Sequence, residues 1–217
     1  MKVIAIVQAR STSVRFPKKV LSEINKKTII EILFKRINLS KKINKIIFAI
    51  PKTKEEKLLK KHILNLGYNL FEGSNEDVLD RYYKAANKFK ADIIVRITAD
   101  CPLTDASLVD EMIKKLIKNK LDFISNCAPA TYPDGLDVWV CTYKTLKTAW
   151  SKASSREDRE HVMNYIINSN DFIKDNFKLK KDLSKERWTI DEPEDFLVIK
   201  NIFNYFKNRY DFSWGEV

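Results

Sequence analysis

Apolar and polar residues alternate in the first 120 positions in a way that predicts strands and helices in turn. The residues from Val3 to Val7 form a continuous apolar run, typical of a strand buried on both faces of a parallel sheet. A helical stripe of apolar residues follows Thr28, which is a suitable N-cap. Strict alternation of this kind predicts an α/β fold with a parallel sheet and right-handed crossovers. The further elements predicted here are strands over 45–50, 69–71 and 92–97, and helices from Thr53, over 76–89 and after Asp105 or Ser107.

The pattern becomes less regular after residue 122. The loop over 128–135 contains Pro129 and Pro133, which interrupt regular structure. Neither a repeat nor a linker divides the chain, so we expect a single domain over 1–217 with an irregular C-terminal half. The elements predicted in this half are strands over 122–125, 136–140, 172–179 and 187–190, two helices before the third of these strands, and a terminal helix from Glu192.

Charge introduces one competing hypothesis. The 217 residues include 40 Lys and Arg against 29 Asp and Glu, a net charge of +11, which is compatible with nucleic-acid binding. The lysines are scattered as pairs, such as Lys18-Lys19 and Lys114-Lys115, in predicted turns and on polar helix faces. This distribution favours a solvated surface that attracts an anionic substrate, and it leaves a basic nucleic-acid-binding protein as the alternative.

Cysteines, histidines and apolar runs bear on the compartment. Cys101, Cys127 and Cys141 show no CxxC spacing, and with His62 and His161 as the only histidines the sequence does not predict a zinc site. Three unpaired thiols suit a reducing cytoplasm. No apolar run approaches the ~20 residues of a membrane span, and the first residues lack the features of a signal peptide. We therefore expect a cytoplasmic protein with no membrane partner.

Polar residues follow three predicted strands, over 8–19, 98–102 and 191–195. Ligands of open α/β sheets bind beyond the carboxyl ends of the strands, so we expect these segments to converge. The first segment combines three cations with three hydroxyls, which suits a triphosphate, although a basic surface loop is the competing interpretation. With four glycines in the chain, neither a P-loop nor a GxGxxG fingerprint is present. The residues concerned are Arg10, Ser11, Thr12, Ser13, Arg15 and Lys19.

Two carboxylates stand at the ends of predicted strands. Asp100 and Asp191 each follow an apolar run directly. Carboxylates in such positions suit Mg²⁺, which binds through few protein ligands together with substrate phosphates. Asp191 has a second interpretation as the N-cap of the last helix. With the cationic loop, a metal here would neutralise the charge that develops during nucleotidyl transfer.

Six segments, in order along nearly the whole chain, resemble the cytidylyltransferase family of the spore-coat polysaccharide biosynthesis protein F type, a relative of the sialic-acid and Kdo cytidylyltransferases. The resemblance implies a Rossmann-like three-layer fold, CTP as co-substrate, Mg²⁺, and a homodimer whose interface lies in about 122–170. The segments are QARSTSVRFPKKVL (8–21), FEGSNEDVLDRYYKAA (71–86), VRITADCPL (95–103), YPDGLDVWV (132–140), REHV (159–162) and RWTIDEPEDF (187–196).

The resemblance also implies roles for individual residues. Arg10, Ser13, Arg15 and Lys19 match the nucleotide-binding loop of the family, and Arg10, Arg15, Lys19 and Asp100 are the expected catalytic residues. Asp100 and Asp191 match the metal-binding aspartates. The residues expected near the nucleotide outside this loop are Ser74, Asp77 and Arg81. The residues that we expect to recognise the acceptor are Asp134, Asp137, Arg159, His161 and Arg187.

The sequence departs from the family pattern at four positions. Thr12, Lys18 and Ala99 stand where the family has glycine, so the loops near phosphate are expected to differ in geometry. Trp139 stands where the family commonly has an acidic residue, in a segment expected to face the acceptor. Trp139 is either part of the acceptor site or a buried aromatic residue on an inward strand face.

The function predicted is transfer of CMP from CTP to a sugar acid of the nonulosonic-acid type, a precursor of surface polysaccharide, with release of pyrophosphate. One alternative is transfer to a phosphorylated small molecule, which gives a CDP-linked product. Nucleic-acid binding is the alternative from another class, and it rests on charge alone.

Overall fold

The structure is a computed structural model that describes residues 1–207 and 209–217. Its strands are β1 (Val3–Gln8), β2 (Glu23–Ile24), β3 (Lys27–Thr28), β4 (Lys45–Pro51), β5 (Asn69–Gly73), β6 (Ile93–Thr98), β7 (Phe123–Ser125), β8 (Trp139–Thr142) and β9 (Lys174–Asn176). Its α-helices are α1 (Ile29–Ile37), α2 (Lys57–Asn65), α3 (Val78–Phe89), α4 (Ala106–Lys118), α5 (Tyr143–Lys152), α6 (Arg156–Glu160), α7 (Asn164–Asn168) and α8 (Pro193–Tyr205). Short 3-10 helices lie over Lys19–Leu21 and Trp214–Glu216.

Seven of the strands in the described part of the chain form one sheet in the order β5-β4-β1-β6-β8-β7-β9. The first four are parallel, β8 runs antiparallel to both of its neighbours, and β9 is parallel to β7. The chain first adds β4 and β5 on one side of β1 and then crosses over to add β6 on the other side. The ends of β1 and β6 lie side by side, with Gln8 paired to Thr98. A ligand crevice is expected at this switch point.

The apolar run of β1 is explained by burial on both faces of the sheet. Val3, Ala5 and Val7 pack into a core with α1, α2, α4 and α8, whereas Ile4 and Ile6 pack into a second core with α3 and α5. Helices therefore cover both faces, and the predicted three-layer α/β fold with a mostly parallel sheet is confirmed.

Two of the helix starts were predicted correctly and one was not. Thr28 caps α1 and forms a capping box with Glu31. Asp105, rather than Ser107, caps α4 by accepting the N–H groups of Ser107 and Leu108 at 2.7 and 3.1 Å. The prediction that α2 begins at Thr53 is wrong, because the helix begins only at Lys57.

The predicted strands of the second half are longer than the observed ones. Residues 136–138 are not a strand, because the side-chain amide of Asn126 bonds the carbonyl of Leu136 and the N–H of Val138, both at 2.8 Å. The strand predicted over 187–190 is also wrong: among the described residues, the only ladder contact of this segment is an isolated bridge between Asp134 and Arg187. Three short helices, α5, α6 and α7, replace the two that were predicted.

Two further expectations concern thiols and membranes. Cys101, Cys127 and Cys141 are all free in the structure, as predicted. Among the residues described, no helix combines the length and apolar character needed to cross a membrane.

Candidate active site

A cavity of about 240 Å³ lies at the carboxyl ends of β1 and β6. It brings together the three polar segments that the sequence places after strands. The side chain of Asp191 reaches this cavity from the loop before α8, far along the chain from the other lining residues. The residues with charged or polar side chains that line it are Gln8, Arg10, Ser13, Arg15, Lys19, Thr98, Asp100 and Asp191.

Lys19 is at the centre of this cavity and is 7% exposed. Its ammonium group donates to Asp100 Oδ2 at 2.8 Å, to Asp191 Oδ1 at 2.9 Å and to the carbonyl of Ile190 at 2.6 Å. These three bonds use all the hydrogens of the ammonium group. Burial acts to lower the pKa of Lys19, but the two carboxylates outweigh it and the net shift is upward. Lys19 is therefore a fixed cation that holds both aspartates.

Asp191 is held chiefly by Lys19 and Arg15, with Arg187 farther away at 3.8 Å, and it does not cap α8. Besides Lys19, Arg15 approaches it to 3.1 Å. Burial acts to raise the pKa of Asp191, but Lys19 and Arg15 outweigh it and the net shift is downward. The N-cap of α8 is Glu192, and Asp195 completes the capping box. The interpretation of Asp191 as an N-cap is therefore wrong, and its carboxylate faces the cavity.

The loop over 10–19 is anchored from α2. The backbone N–H of Ser11 donates to both carboxylate oxygens of Glu56, at 3.0 and 2.9 Å, and Glu56 is 1% exposed. The hydroxyl of Ser11 is directed to the carbonyl of Glu55. Neither Ser11 nor Thr12 lines the cavity. The arrangement therefore does not support the prediction that their hydroxyls contact the nucleotide, because Ser11 is used to fix the loop and Thr12 faces solvent.

Two of the positions where the family has glycine have visible consequences. Lys18 adopts the left-handed conformation, with φ 58° and ψ 20°, which glycine accepts without steric cost. Ala99 is buried and lines the cavity, so its methyl group occupies space next to Asp100.

A second cavity of about 760 Å³ adjoins the first and shares Gln8 and Arg10 with it. It lies at the start of α3 and beside α6. Besides Arg10, it contains three of the predicted site residues, Asp77, Arg159 and His161. Arg159 donates to one oxygen of Asp77, Oδ2, through both Nε, at 2.9 Å, and Nη2. Arg159 therefore joins α6 to α3, and its side chain is not free for an acceptor.

Residues 73–81, which read GSNEDVLDR, form the turn before α3 and its first helical turn, and their side chains have structural roles there. Arg81 is 2% exposed and lines neither cavity. Its guanidinium group donates to the carbonyl of Ser74, and its Cγ would lie 2.8 Å from a Cβ added to Gly73. The Ser74 hydroxyl accepts the N–H of Asp77 at 3.0 Å. Ser74 and Arg81 thus shape the turn that carries Asp77. Arg81 itself does not reach either cavity, so it does not contact a ligand bound there.

Two further acceptor candidates lie close together: Arg187 begins the 187–190 segment, and Asp134 is bridged to it. Arg187 donates to Asp195 at 2.8 and 2.9 Å, and this pair holds the pKa of Asp195 down to about 2. Arg187 is therefore used in an internal ion pair. Gly135 has φ +106°, and a Cβ there would lie 2.5 Å from the backbone of Trp188. This glycine lets the 187–190 segment pass close to Asp134 and so brings Asp191 to the site.

Asp134 and Asp137 line neither cavity, but both are close enough to Asp100 for its charge to raise their pKa values. Burial raises the pKa of Asp137 to about 6, and the charges of Asp134 and Asp100 add to this while Arg96 opposes it. Among the described residues, Asp137 makes no hydrogen bond. Burial also raises the pKa of Asp134, against the opposing effect of Arg187. These two carboxylates remain available to a bound molecule.

Sequence reasoning missed Gln8 and Arg96, which line the cavities, and the anchoring role of Glu56. Arg96 lies in β6, and its guanidinium carbon is 4.3 Å from the centre of the Trp139 ring. The signal was present: a single arginine interrupts the apolar run IIVRIT, in a strand that the fold buries. Trp139 is half-buried, and it faces both the second core and Arg96. Its packing against the second core agrees with the interpretation as an inward-facing aromatic residue, and a place in the acceptor site stays a prediction.

A doubly covered, mostly parallel sheet with cations and paired carboxylates at its switch point defines an α/β nucleotidyltransferase. The sequence model of the cytidylyltransferase family matches residues 4–210, and the chain belongs to this family. It is therefore a CTP-dependent nucleotidyltransferase, and the resemblance described from sequence is confirmed.

Some similar proteins match nearly the whole of this chain, and others match about half of it. The uncharacterized protein MJ1063 of Methanocaldococcus jannaschii is 37% identical over 209 residues, which are 95% of this chain and 85% of that protein. The spore coat polysaccharide biosynthesis protein SpsF of Bacillus subtilis is 29% identical over 227 residues, 99% of this chain and 92% of that protein. The 3-deoxy-manno-octulosonate cytidylyltransferase of Geobacter metallireducens is 30% identical over 118 residues, 54% of this chain and 45% of that protein.

A solved structure of a cytidylyltransferase from Leptospira borgpetersenii has the same fold. It superposes with a TM-score of 0.94 at 30% identity, and the match covers 100% of this chain and 92% of that one.

Proposed function

We propose that this chain transfers CMP from CTP to a hydroxyl group of a sugar acid that is a precursor of surface polysaccharide, with release of pyrophosphate and with Mg²⁺. One observation carries the proposal: Lys19 gathers Asp100 and Asp191 at a cavity that Arg10 and Arg15 also line. Cations and carboxylates in one small cavity suit a triphosphate with its metal.

The two aspartates fit a magnesium ion. Mg²⁺ is commonly held by one or two carboxylates, and substrate phosphates and water complete its coordination. In the described part of the chain, no group of three or more His, Cys, Asp or Glu side chains is arranged to hold a metal. A site built from Asp100 and Asp191 therefore relies on the nucleotide for further ligands. A bound metal would withdraw charge from the phosphate oxygens.

The side chains of this chain then have distinct proposed roles. Arg10 and Arg15 bind the β- and γ-phosphates and stabilise departing pyrophosphate. Lys19 holds both aspartates, and it would become free to bind a phosphate if a divalent cation replaced it between them. Glu56 keeps the loop in position through Ser11. Preorganised charges of this kind act without a covalent intermediate.

The larger cavity is proposed to hold the nucleoside and the acceptor. It adjoins the smaller cavity through Gln8 and Arg10, so a molecule in it lies beside the phosphate site. Asp77 lines this cavity, and the family resemblance implies that Asp77 lies near the nucleotide. Asp134, Asp137 and His161 remain the proposed acceptor residues, since Arg159 and Arg187 are used in internal ion pairs.

The proposal for a sugar acid is supported by the names of the relatives. One relative acts on 3-deoxy-manno-octulosonate and another belongs to spore coat polysaccharide biosynthesis. Transfer to a phosphorylated small molecule is the second candidate, and the positive charge near the larger cavity is compatible with it. A dimer with an interface in 122–170 and a cytoplasmic location remain predictions.

The deciding experiment measures pyrophosphate release from each nucleoside triphosphate with a panel of sugar acids, sugar phosphates and neutral sugars. We expect release with CTP, a sugar acid and Mg²⁺ together, and none when the acceptor is omitted. Phosphorus NMR of the product then separates a phosphodiester from a pyrophosphate linkage. Release with sugar phosphates alone would replace the first proposal with the second.

A further inference from the structure

Arg96 is a half-buried cation of the larger cavity, and its hydrogen-bonding capacity is largely unused. Its Nε is buried and has no partner. Among the described residues it donates over a long distance, 3.4 Å from Nη2 to Gln8 Oε1. It also interacts with the hydroxyl of Tyr82, where its charge opposes the upward shift that burial gives the pKa of Tyr82. No carboxylate in the described part of the chain lies within ion-pair distance of it. An arginine in this state is suited to a planar anion that can take two parallel hydrogen bonds.

Aromatic rings fix the plane of this guanidinium group. The ring of Trp139 is 4.3 Å from the guanidinium carbon and that of Tyr82 is 6.0 Å away. Arg96 and Trp139 are direct cross-strand partners of β6 and β8, so their side chains leave the same face of the sheet. The ring covers a face of the cation without neutralising its charge. Only the edge of the group is left for hydrogen bonding.

The charges around Arg96 favour an anion of single charge. Two other cations of the cavity, Arg10 and Arg156, are exposed, and Arg159 is neutralised by Asp77. Asp137 is near enough to Arg96 for its pKa to be affected. Asp137 therefore partly offsets the positive charge, which suits a carboxylate better than a phosphate dianion.

We propose that Arg96, oriented by Trp139, binds the carboxylate of the acceptor and thereby selects acidic sugars over neutral ones. This inference rests on the proposed function, since it assigns a recognition residue to the proposed acceptor. The larger cavity meets the phosphate cavity at Gln8, which is also the hydrogen-bond partner of Arg96. A carboxylate on Arg96 would thus place the neighbouring hydroxyl group of the sugar toward the nucleotide.

The test uses binding, so that it can be read without turnover. The probe is N-acetylneuraminic acid, compared with its methyl ester and with a neutral sugar, by calorimetry in the presence of CTP and in the absence of divalent metal, so that no transfer occurs. In the unmodified chain the acid should bind about tenfold or more tighter than its ester, the difference expected for a hydrogen bond between charged groups. Arg96→Gln should bind the acid and the ester equally.

Two substitutions of Trp139 separate charge from shape. Trp139→Glu places a carboxylate beside Arg96 and should remove the preference for the acid, whereas Trp139→Phe keeps an aromatic ring and should retain it. CTP affinity should stay within about twofold in all three variants, since the proposed ligand of Arg96 is the acceptor. Circular dichroism and thermal unfolding check that each variant folds.

Several results would overturn the assignment. They are an acid preference retained in Arg96→Gln, a loss of CTP affinity in place of acid affinity, or an unmodified chain that binds the acid no better than the ester. Binding of a sugar phosphate, and not of the acid, that depends on Arg96 would also overturn it. If acid binding depends on Arg96 but no acid supports pyrophosphate release, the proposed function fails and the binding site stands.

Discussion

Glu56 accepts the backbone N–H of Ser11 with both carboxylate oxygens, at 3.0 and 2.9 Å. This contact ties the start of α2 to the loop that carries Arg10, Arg15 and Lys19. The carboxylate is 1% exposed, so its removal leaves a buried donor without a partner.

Glu56→Ala should therefore lower the free energy of unfolding by about 1–3 kcal/mol. It should also raise KM for CTP more than it lowers kcat, because the loop loses its anchor. Urea unfolding and steady-state pyrophosphate release measure the two effects. Glu55→Ala is the matched control, since Glu55 is exposed and contributes only its carbonyl group to Ser11. Unchanged stability and KM in Glu56→Ala would show that the loop is fixed by other contacts.

Asp100→Asn should reduce pyrophosphate release by at least about a hundredfold. The amide keeps the size of the side chain but removes the charge that is proposed to hold the metal. Lys19 keeps its bonds to Asp191 and to the carbonyl of Ile190, so the fold should persist in circular dichroism. Asp171→Asn is the control, because Asp171 forms an exposed ion pair with Lys152 away from both cavities. Near-normal turnover in Asp100→Asn would remove Asp100 from the metal site.

Lys18→Gly should raise the free energy of unfolding by about 1 kcal/mol. Lys18 adopts φ 58° and ψ 20°, where a Cβ atom is unfavourable and glycine is not. Part of the gain is offset because glycine makes the unfolded chain more flexible. Lys18→Ala is the control: it removes the charge and keeps the Cβ, so it should show no such gain. Equal stability of the two variants in urea would contradict the steric explanation.

Asp137→Asn should stabilise the protein at neutral pH and have little effect near pH 4. The pKa of Asp137 is raised to about 6 in the folded state, chiefly by burial. The folded state thus binds more protons than the unfolded state between the ordinary pKa and 6, and stability falls as pH rises through this range. The stability difference between the variant and the unmodified chain should grow by about 2 kcal/mol from pH 4 to pH 7.

Thermal unfolding in metal-free buffer across this pH range measures the effect. Asp182→Asn is the control, because Ser184 lowers the pKa of that exposed carboxylate. The control should change stability little, and in the opposite sense. A stability difference for Asp137→Asn that does not depend on pH would mean that Asp137 has an ordinary pKa.

Local signals predicted the first half of the fold well. The apolar run of β1 required burial on both faces, and Thr28 with Glu31 marked the start of α1 within a few residues. The convergence of Lys19, Asp100 and Asp191 followed from the rule that ligands lie at strand ends, although their roles rest on the resemblance.

The second half depends on contacts between distant residues, which periodicity does not contain. Asn126 replaces a strand ladder with side-chain hydrogen bonds to 136–138. Gly135 permits the close crossing by 188–189 that brings Asp191 to the cavity. Arg159 and Arg187 looked available for an acceptor, because the sequence does not reveal that Asp77 and Asp195 already bind them.

The three bonds of Lys19 have a consequence for the order of events at the site. Lys19 and Arg15 balance the charge of Asp100 and Asp191 before any substrate enters, so the proposed divalent ion would have to displace an ammonium group in order to bind. A metal already attached to a triphosphate would bring the anion to which the displaced ammonium group could turn. On the proposed function, the cavity would therefore take the metal–nucleotide complex as one unit, and Lys19 would be its counter-ion until that complex binds.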